Sequence, residues 1–297
     1  MKTIFRNENG AKEVYIQAYD RTLQEWDVPV ESTYLDTSFG KTHILISGPA
    51  DAEPLILFHG FGFSSTMWIE NVKPLSKYYR TFAVDFIGDI NKSEAIRQIT
   101  SKEECASWFR EILSGLGIER AHVAGLSYGG FISLVLAVYA PQLINKMVVM
   151  CPAASFQPQS KKFLIKCLLA GIFPTTKRLN NLMNDMIGKG NQVNEILKDQ
   201  FITGMQNALP TNKLFPSYMK DDELRAIQCP ILLLIGDQDI QYDPQKAIAR
   251  AKHLVPLIQT KLIADTGHGL AMERPKTINA LMITFFKTTA NQKYGAV

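Results

Sequence analysis

The sequence lacks the features that mark a membrane-spanning or disulfide-rich protein. Its 297 residues contain no apolar run near the roughly 18 residues needed to span a bilayer. The first residues, 1–7, show no apolar core of a signal peptide. The four cysteines have no CxxC spacing and lie in apolar runs, which favours buried, reduced thiols over disulfides or metal ligands. We therefore expect a soluble, cytoplasmic protein.

An excess of one charge is also missing. The 32 basic and 28 acidic residues give a formal net charge of +4, with both signs mixed along the chain. Such a balance predicts neither a nucleic-acid partner nor an anionic membrane partner. The histidines are scattered and do not pair with acids or cysteines at ligand spacing. We expect no metal site and no cofactor.

Short apolar runs alternate with helix-length segments along most of the chain. Runs that are apolar on both faces indicate a mostly parallel sheet flanked by helices, which is an α/β fold. The predicted strands lie at residues 55–58, 81–84, 122–124, 147–150, 231–235 and 260–264. An antiparallel hairpin, 32–37 and 41–47, is predicted to precede them.

The alternation stops between residues 154 and 222. Three helical patterns follow one another there, at 161–172, 175–187 and 193–209, without a strand candidate. We predict a helical cap, 154–222, inserted into a core formed by 1–153 and 223–297, above the carboxyl ends of the strands. Its apolar side chains are expected to pack in the core or to line an acyl pocket: Phe163, Leu164, Leu168, Phe173, Met183, Met186, Phe201 and Met205.

A serine lies on a predicted sharp turn at residues 125–129, which read Gly-Leu-Ser-Tyr-Gly. A predicted strand precedes this segment and a helical pattern follows it. Such a strand-to-helix turn has room only for glycine beside the serine and exposes the hydroxyl above the sheet. Ser127 is therefore the candidate nucleophile of an acyl-transfer reaction.

A serine hydroxyl is a weak nucleophile at neutral pH and needs a base. His43 lies in the predicted hairpin, His122 in a strand and His253 at the end of a helical pattern, so structural or solvated roles are expected for them. His268 follows the last predicted strand, on the same edge of the sheet as Ser127. We predict that His268 is the base.

The acid that orients this base is expected on the loop after the strand at 231–235. Asp237, Asp239 and Asp243 all lie there. Asp237 follows the strand immediately, and Asp243 stands where it can cap the helix begun by Pro244. Asp239 is therefore the predicted acid.

Backbone N–H groups are needed to stabilise the oxyanion of the reaction. The residue after the nucleophile, Tyr128, supplies one such group in this arrangement. The loop after an early strand supplies the second, and His59-Gly60-Phe61 lies there. Phe61 and Tyr128 are the predicted oxyanion donors.

With these residues in view, the chain resembles the α/β-hydrolase superfamily and, more narrowly, bacterial carboxylesterases of the naproxen-esterase kind. The narrower resemblance rests on segments 39–43, 59–60, 63–68, 85–93, 221–224, 240–244 and 272–275. It implies an α/β-hydrolase fold and an esterase that forms an acyl-enzyme on a small ester with an apolar acyl or aryl part. That family often has glutamate at the position of Asp239, and here Tyr128 adds a large side chain after the nucleophile.

Other interpretations are weaker or remain open. Residues 60–65 with Asp85 come close to a dinucleotide-binding fingerprint, but Ser65 occupies the third glycine position, where close helix packing needs glycine or alanine. Ser127 excludes the alkyl-enzyme chemistry of dehalogenases and epoxide hydrolases, which use aspartate there. A receptor that hydrolyses its ligand slowly, or a hydrolase of thioesters, lactones or carbon–carbon bonds, stays open.

Overall fold

A nine-stranded sheet organises the chain within residues 4–6 and 10–288, which the computed structural model describes. The strands are β1 (Glu31–Thr37), β2 (Gly40–Ser47), β3 (Glu53–Phe58), β4 (Tyr79–Val84), β5 (Glu94–Ala95), β6 (Ala121–Leu126), β7 (Ile144–Met150), β8 (Ile231–Gly236) and β9 (Ile258–Ile263). Their order is β1-β2-β4-β3-β6-β7-β8-β9, with β5 beside β2. Strands β4, β3 and β6 to β9 are mutually parallel, whereas β2 is antiparallel to its neighbours.

Helices cover the sheet and form the insertion. They are α1 (Ala11–Leu23), α2 (Ile69–Leu75), α3 (Lys102–Gly115), α4 (Tyr128–Tyr139), α5 (Lys161–Ile172), α6 (Thr176–Met186), α7 (Glu195–Asn207), α8 (Asp221–Arg225), α9 (Pro244–Leu254), α10 (Leu270–Glu273) and α11 (Pro275–Lys287). In the described part of the chain, none of them has the length and apolar character required to traverse a bilayer.

The central strands are buried on both faces, as their continuous apolar sequences predict. Every residue of β6 and of β8 is buried, whereas β1 at the sheet edge alternates between exposed and partly buried positions. The predicted hairpin and all six predicted strands are present. The α/β architecture expected from the sequence is therefore confirmed, and only the short β5 was not predicted.

The helical insertion lies between β7 and β8, and its helices begin at polar capping residues. Ser160, Thr175 and Asn194 accept hydrogen bonds from backbone N–H groups in the first turns of α5, α6 and α7. These caps satisfy donors that a helix start would leave unpaired. The three helices match the three patterns seen in the sequence to within a few residues.

Helix α1 was not predicted, and it packs on the inserted helix α7. The Tyr15 hydroxyl donates to Ile90 O at 2.6 Å and lies 3.4 Å from Gln200 Nε2. A Cβ added at Gly204 would lie 3.1 Å from the Tyr15 ring, so the two helices approach closely. The division into a core (1–153 and 223–297) and a cap (154–222) stays a prediction. Helix α1 belongs to the predicted core and contacts helix α7 of the predicted cap.

Burial of the apolar residues in the insertion differs from expectation. Phe163, Met183, Phe201 and Met205 are buried, and Met186 is partly buried. The remaining three of the predicted set are exposed: Leu164, Leu168 and Phe173. The expectation of core or pocket positions is wrong for these three, because the side chains of α5 that are buried in the described structure, Phe163 and Ala170, lie on the opposite side of the helix.

Candidate active site

Ser127 occupies the strained turn between β6 and α4. Its φ and ψ are 56° and −111°, a conformation that L-residues rarely adopt and that is typical of functional sites. A Cβ on Gly125 would lie 2.2 Å from Gly129 O, and one on Gly129 would lie 2.3 Å from Phe58 O. Both glycines are therefore required by close backbone contacts, as the sequence predicts for a nucleophile elbow.

Asp239 and His268 form a buried hydrogen-bonded pair. His268 Nδ1 lies 3.0 Å from Asp239 Oδ2, and Asp239 Oδ1 accepts from Gln241 N at 2.8 Å. The pairing places the imidazole proton on Nδ1 and leaves Nε2 free to accept a proton. Asp237 instead accepts from the backbone N–H of Thr266 at 3.1 Å.

Asp243, the third aspartate of this loop, caps α9 by accepting from two backbone N–H groups of its first turn. Of the three aspartates considered, it is therefore Asp239 that contacts His268. Within the described residues, no hydrogen bond joins Ser127 Oγ to His268. Such bonds are commonly long in ligand-free enzymes and tighten when substrate binds.

The two predicted oxyanion donors are available for a ligand. In the part of the chain that the structure describes, the N–H groups of Phe61 and Tyr128 donate no hydrogen bond. Their rings meet edge to face with centroids 6.1 Å apart, so the two residues are neighbours across the site. The Tyr128 hydroxyl donates to Leu214 O at 2.9 Å.

Side chains behind the Phe61 loop hold its backbone in place. His59 Nε2 accepts from Phe86 N at 2.9 Å, and Nδ1 donates to Gly60 O at 2.8 Å. Asp89 accepts from Gly62 N at 3.2 Å. These bonds engage the groups on either side of Phe61 and leave its own N–H unpaired.

Asp89 is a residue that sequence reasoning missed. It is fully buried and also accepts from Ile90 N at 2.8 Å, but no cation pairs with it among the described residues. Burial raises the pKa of Asp89 from 3.8 to about 6. Asp89 lies in segment 85–93, and the similarity of this segment to bacterial carboxylesterases is the sequence signal that points to it.

Two further buried residues contact the acid–base pair. Gln241 Nε2 lies 3.3 Å from His268 Nδ1 and 3.5 Å from Cys151 O. The Cys151 sulfur, an Asp239 oxygen and a His268 nitrogen lie within 4.8 Å of one another. Burial raises the pKa of the Cys151 thiol well above its ordinary range, and the nearby Asp239 carboxylate adds to the shift. Two of these three residues are already joined by the hydrogen bond between Asp239 and His268.

Hydrogen bonds connect the loop that carries His268 to the end of α6. The backbone N–H of His268 donates to Met186 O at 2.7 Å. Glu273 accepts from Gly267 N at 2.9 Å and from Gly188 N at 2.7 Å. The inserted segment therefore helps to hold the imidazole in position.

A second Ser–His–Asp chain lies away from the elbow. His43 Nε2 lies 2.8 Å from Ser32 Oγ, and His43 Nδ1 lies 2.8 Å from Asp85 Oδ2. Ser65 N and Oγ each donate to Asp85 Oδ1 at 2.7 Å. Ser32 lies in the regular strand β1, opposite Leu45, so no turn presents its hydroxyl as the elbow presents Ser127. We assign the cluster a structural role, as expected for His43.

Comparison with known proteins gives one consistent result. A family profile described as the alpha/beta hydrolase fold matches residues 53–173. Two proteins of Bacillus subtilis strain 168, an uncharacterized carboxylesterase nap and carboxylesterase YbfK, are 38% and 36% identical, each over 94% of both chains. The crystal structure of naproxen esterase from Bacillus subtilis superposes with a TM-score of 0.89 and 36% identity, covering 95% of this chain and 99% of that one.

The chain belongs to the α/β-hydrolase family. The fold expected from the sequence and the resemblance to bacterial carboxylesterases of the naproxen-esterase kind are both confirmed. The crystal structure of carboxylesterase CesB (YbfK) from Bacillus subtilis also aligns over 93% of this chain, with a TM-score of 0.88. The likeness therefore includes the inserted helices as well as the sheet.

Proposed function

We propose that this α/β-hydrolase is a carboxylesterase in which Ser127 forms an acyl-enzyme. The observation that carries the proposal is the hydrogen-bonded Asp239–His268 pair at the same edge of the parallel sheet as a serine held at φ 56°. The unpaired N–H groups of Phe61 and Tyr128 complete the set that ester hydrolysis requires. The similarity to carboxylesterases over nearly the whole chain supports the same reaction.

Each residue has a defined role in this mechanism. His268 Nε2 takes the proton of Ser127 as its oxygen attacks the ester carbonyl, and Asp239 stabilises the imidazolium that forms. The two N–H groups donate to the oxyanion of the tetrahedral intermediate. Collapse expels the alcohol, which takes its proton from His268. Water then attacks the acyl-enzyme with the same base, releasing the acid and restoring Ser127.

The surroundings favour a small ester with an apolar acyl or aryl part. The Phe163 ring lies 6.1 Å from the His268 ring, and Phe63 stacks on Phe201 at 4.7 Å, beside the Phe61 loop. Aromatic side chains from the insertion and the core thus lie next to the proposed catalytic groups. The cap, 154–222, would then select the acyl group, and Phe201→Ala is expected to shift activity toward longer acyl chains.

The proposal is tested by covalent labelling with a fluorophosphonate probe. Wild type is expected to gain one adduct by intact-mass measurement, and Ser127→Ala is expected to gain none. Ser32→Ala is the matched control, because Ser32 has the better-formed contact to a histidine but lies on a regular strand. Labelling that persists in Ser127→Ala and disappears in Ser32→Ala would contradict the assignment.

The role of Asp239 is tested by steady-state kinetics on an aryl ester. Asp239→Asn is expected to lower kcat by about 10⁴-fold, because the imidazole loses the partner that fixes its tautomer. Asp237→Asn is the control and is expected to retain most activity, because the Asp237 carboxylate accepts from the backbone N–H of Thr266 rather than contacting His268 in the described part of the chain. Sustained turnover in wild type is expected as well; a single slow burst without turnover would favour a ligand-hydrolysing receptor.

A further inference from the structure

The outward face of α5 is apolar, the reverse of what a helix on a protein surface normally shows. Its buried side consists of Phe163 and Ala170. The side chains on the opposite side, and one just beyond the helix end, are each 45% to 60% exposed: Leu164, Ile165, Leu168, Leu169, Ile172 and Phe173. Contiguous apolar surface of this kind marks a site of interaction.

Positive charge surrounds this apolar face. The sequence contains no aspartate or glutamate between Glu119 and Asp185. All charged side chains of α5 and of the start of α6 are therefore positive. The exposed basic residues next to the apolar face are Lys161, Lys162, Lys177 and Arg178. Arg6 adds a further cation where its Nη2 donates to Gly171 O at 3.1 Å. Lys166 is paired with Asp185 and does not add to the unbalanced charge.

We propose that this face of α5 docks on an anionic lipid surface. An amphipathic helix with apolar residues on one side and basic residues around them binds in the plane of a bilayer interface. Anionic headgroups attract the cations while the apolar side chains enter the boundary of the acyl chains. A second copy of this chain fits less well, because a symmetric contact would bring the same basic residues of both copies together.

The docking face and the proposed catalytic site lie on opposite sides of one helix. Phe163, on the buried side of α5, has its ring 6.1 Å from the His268 ring. Ser160, which begins the helix, donates from its backbone N to Gln241 O at 2.7 Å. A docked α5 would place the site next to the interface, where esters with apolar acyl chains accumulate. This last step rests on the proposed esterase function, whereas the docking itself does not.

The inference departs from the expectation that no membrane partner exists. That expectation rested on the mixed charge of the whole chain. The local distribution of charge is different. Residues 120–184 include lysines, arginines and no acidic residue. The fold then places part of that segment on the surface beside exposed apolar side chains.

Co-sedimentation with vesicles tests the proposal. Wild type is expected to bind vesicles of phosphatidylcholine with phosphatidylglycerol and to remain in solution with phosphatidylcholine alone. The double variants Lys161→Glu/Lys162→Glu and Ile165→Ser/Leu168→Ser should each weaken binding about tenfold or more. Lys252→Glu and Ile96→Ser are matched controls at exposed positions elsewhere, Ile96 being 70% exposed, and they should bind as wild type does.

Two parallel measurements separate the possible outcomes. Hydrolysis of a water-soluble aryl ester should be unchanged in all four variants, which shows that they are folded and tests the esterase function independently. Wild type that stays in solution with anionic vesicles, or variants that bind as tightly as wild type, would overturn the docking proposal. A dimer in sedimentation velocity that Ile165→Ser/Leu168→Ser dissociates, without vesicle binding, would identify a second copy as the occupant instead.

Discussion

Replacing Asp89 by asparagine is expected to remove a defined part of the pH dependence of stability. Asp89 is fully buried, accepts hydrogen bonds from the backbone N–H groups of Gly62 and Ile90, and has its pKa raised by burial from 3.8 to about 6. Between these two pH values the folded protein retains a proton that the unfolded chain has released. The contribution of Asp89 to wild-type stability should therefore fall as the pH rises from about 4 to about 6.

The size of the effect follows from the displacement of the pKa. A shift from 3.8 to about 6 corresponds to about 3 kcal/mol, since one pKa unit is equivalent to about 1.4 kcal/mol. An asparagine side chain cannot ionise, so the variant lacks this contribution. The free energy of unfolding of Asp89→Asn, minus that of wild type, should rise by about 2 kcal/mol between pH 4 and pH 7, because the unfolded chain has already released part of this proton at pH 4. The size of this stability difference at any single pH depends also on how well asparagine keeps the hydrogen bonds from Gly62 N and Ile90 N.

Urea unfolding followed by circular dichroism at pH 4, 5, 6 and 7 measures this difference. Asp51→Asn, at an exposed turn position, is the control and should stay within about 0.5 kcal/mol of wild type at each pH. Parallel stability curves for Asp89→Asn and wild type would refute the reasoning. Such curves would mean that the pKa of Asp89 is the same in the folded protein and in the unfolded chain.

Two further predictions concern the elbow. Gly125→Ala should destabilise the protein by more than about 4 kcal/mol or prevent folding, because its Cβ would lie 2.2 Å from Gly129 O; a soluble variant with wild-type thermal stability would contradict this. Tyr128→Phe should lower the free energy of unfolding by about 1 to 3 kcal/mol, since Leu214 O loses its buried donor, while the backbone N–H remains and kcat changes little. A large loss of kcat at unchanged stability would instead place the hydroxyl at the substrate.

The sheet and the elbow could be predicted because their signals are local. A parallel strand buried on both faces is a continuous apolar run, and each of the six predicted runs is a strand. The glycines at 125 and 129 are needed by contacts that any such turn makes. His268 could be predicted from its position after the last predicted strand, because parallel strands bring their carboxyl ends to one edge of the sheet.

The amino-acid sequence by itself therefore determined the order of strands and helices and the edge of the sheet at which the site forms. Only the tertiary structure decided which distant side chains meet. It joined Ser32 to His43 and Asp85, placed Asp89 behind the Phe61 loop and packed α1 on α7. It also left one apolar side of α5 exposed, although its periodicity is that of a packed helix. Periodicity specifies that a face is apolar, but the surface that covers it depends on how the elements are arranged in space.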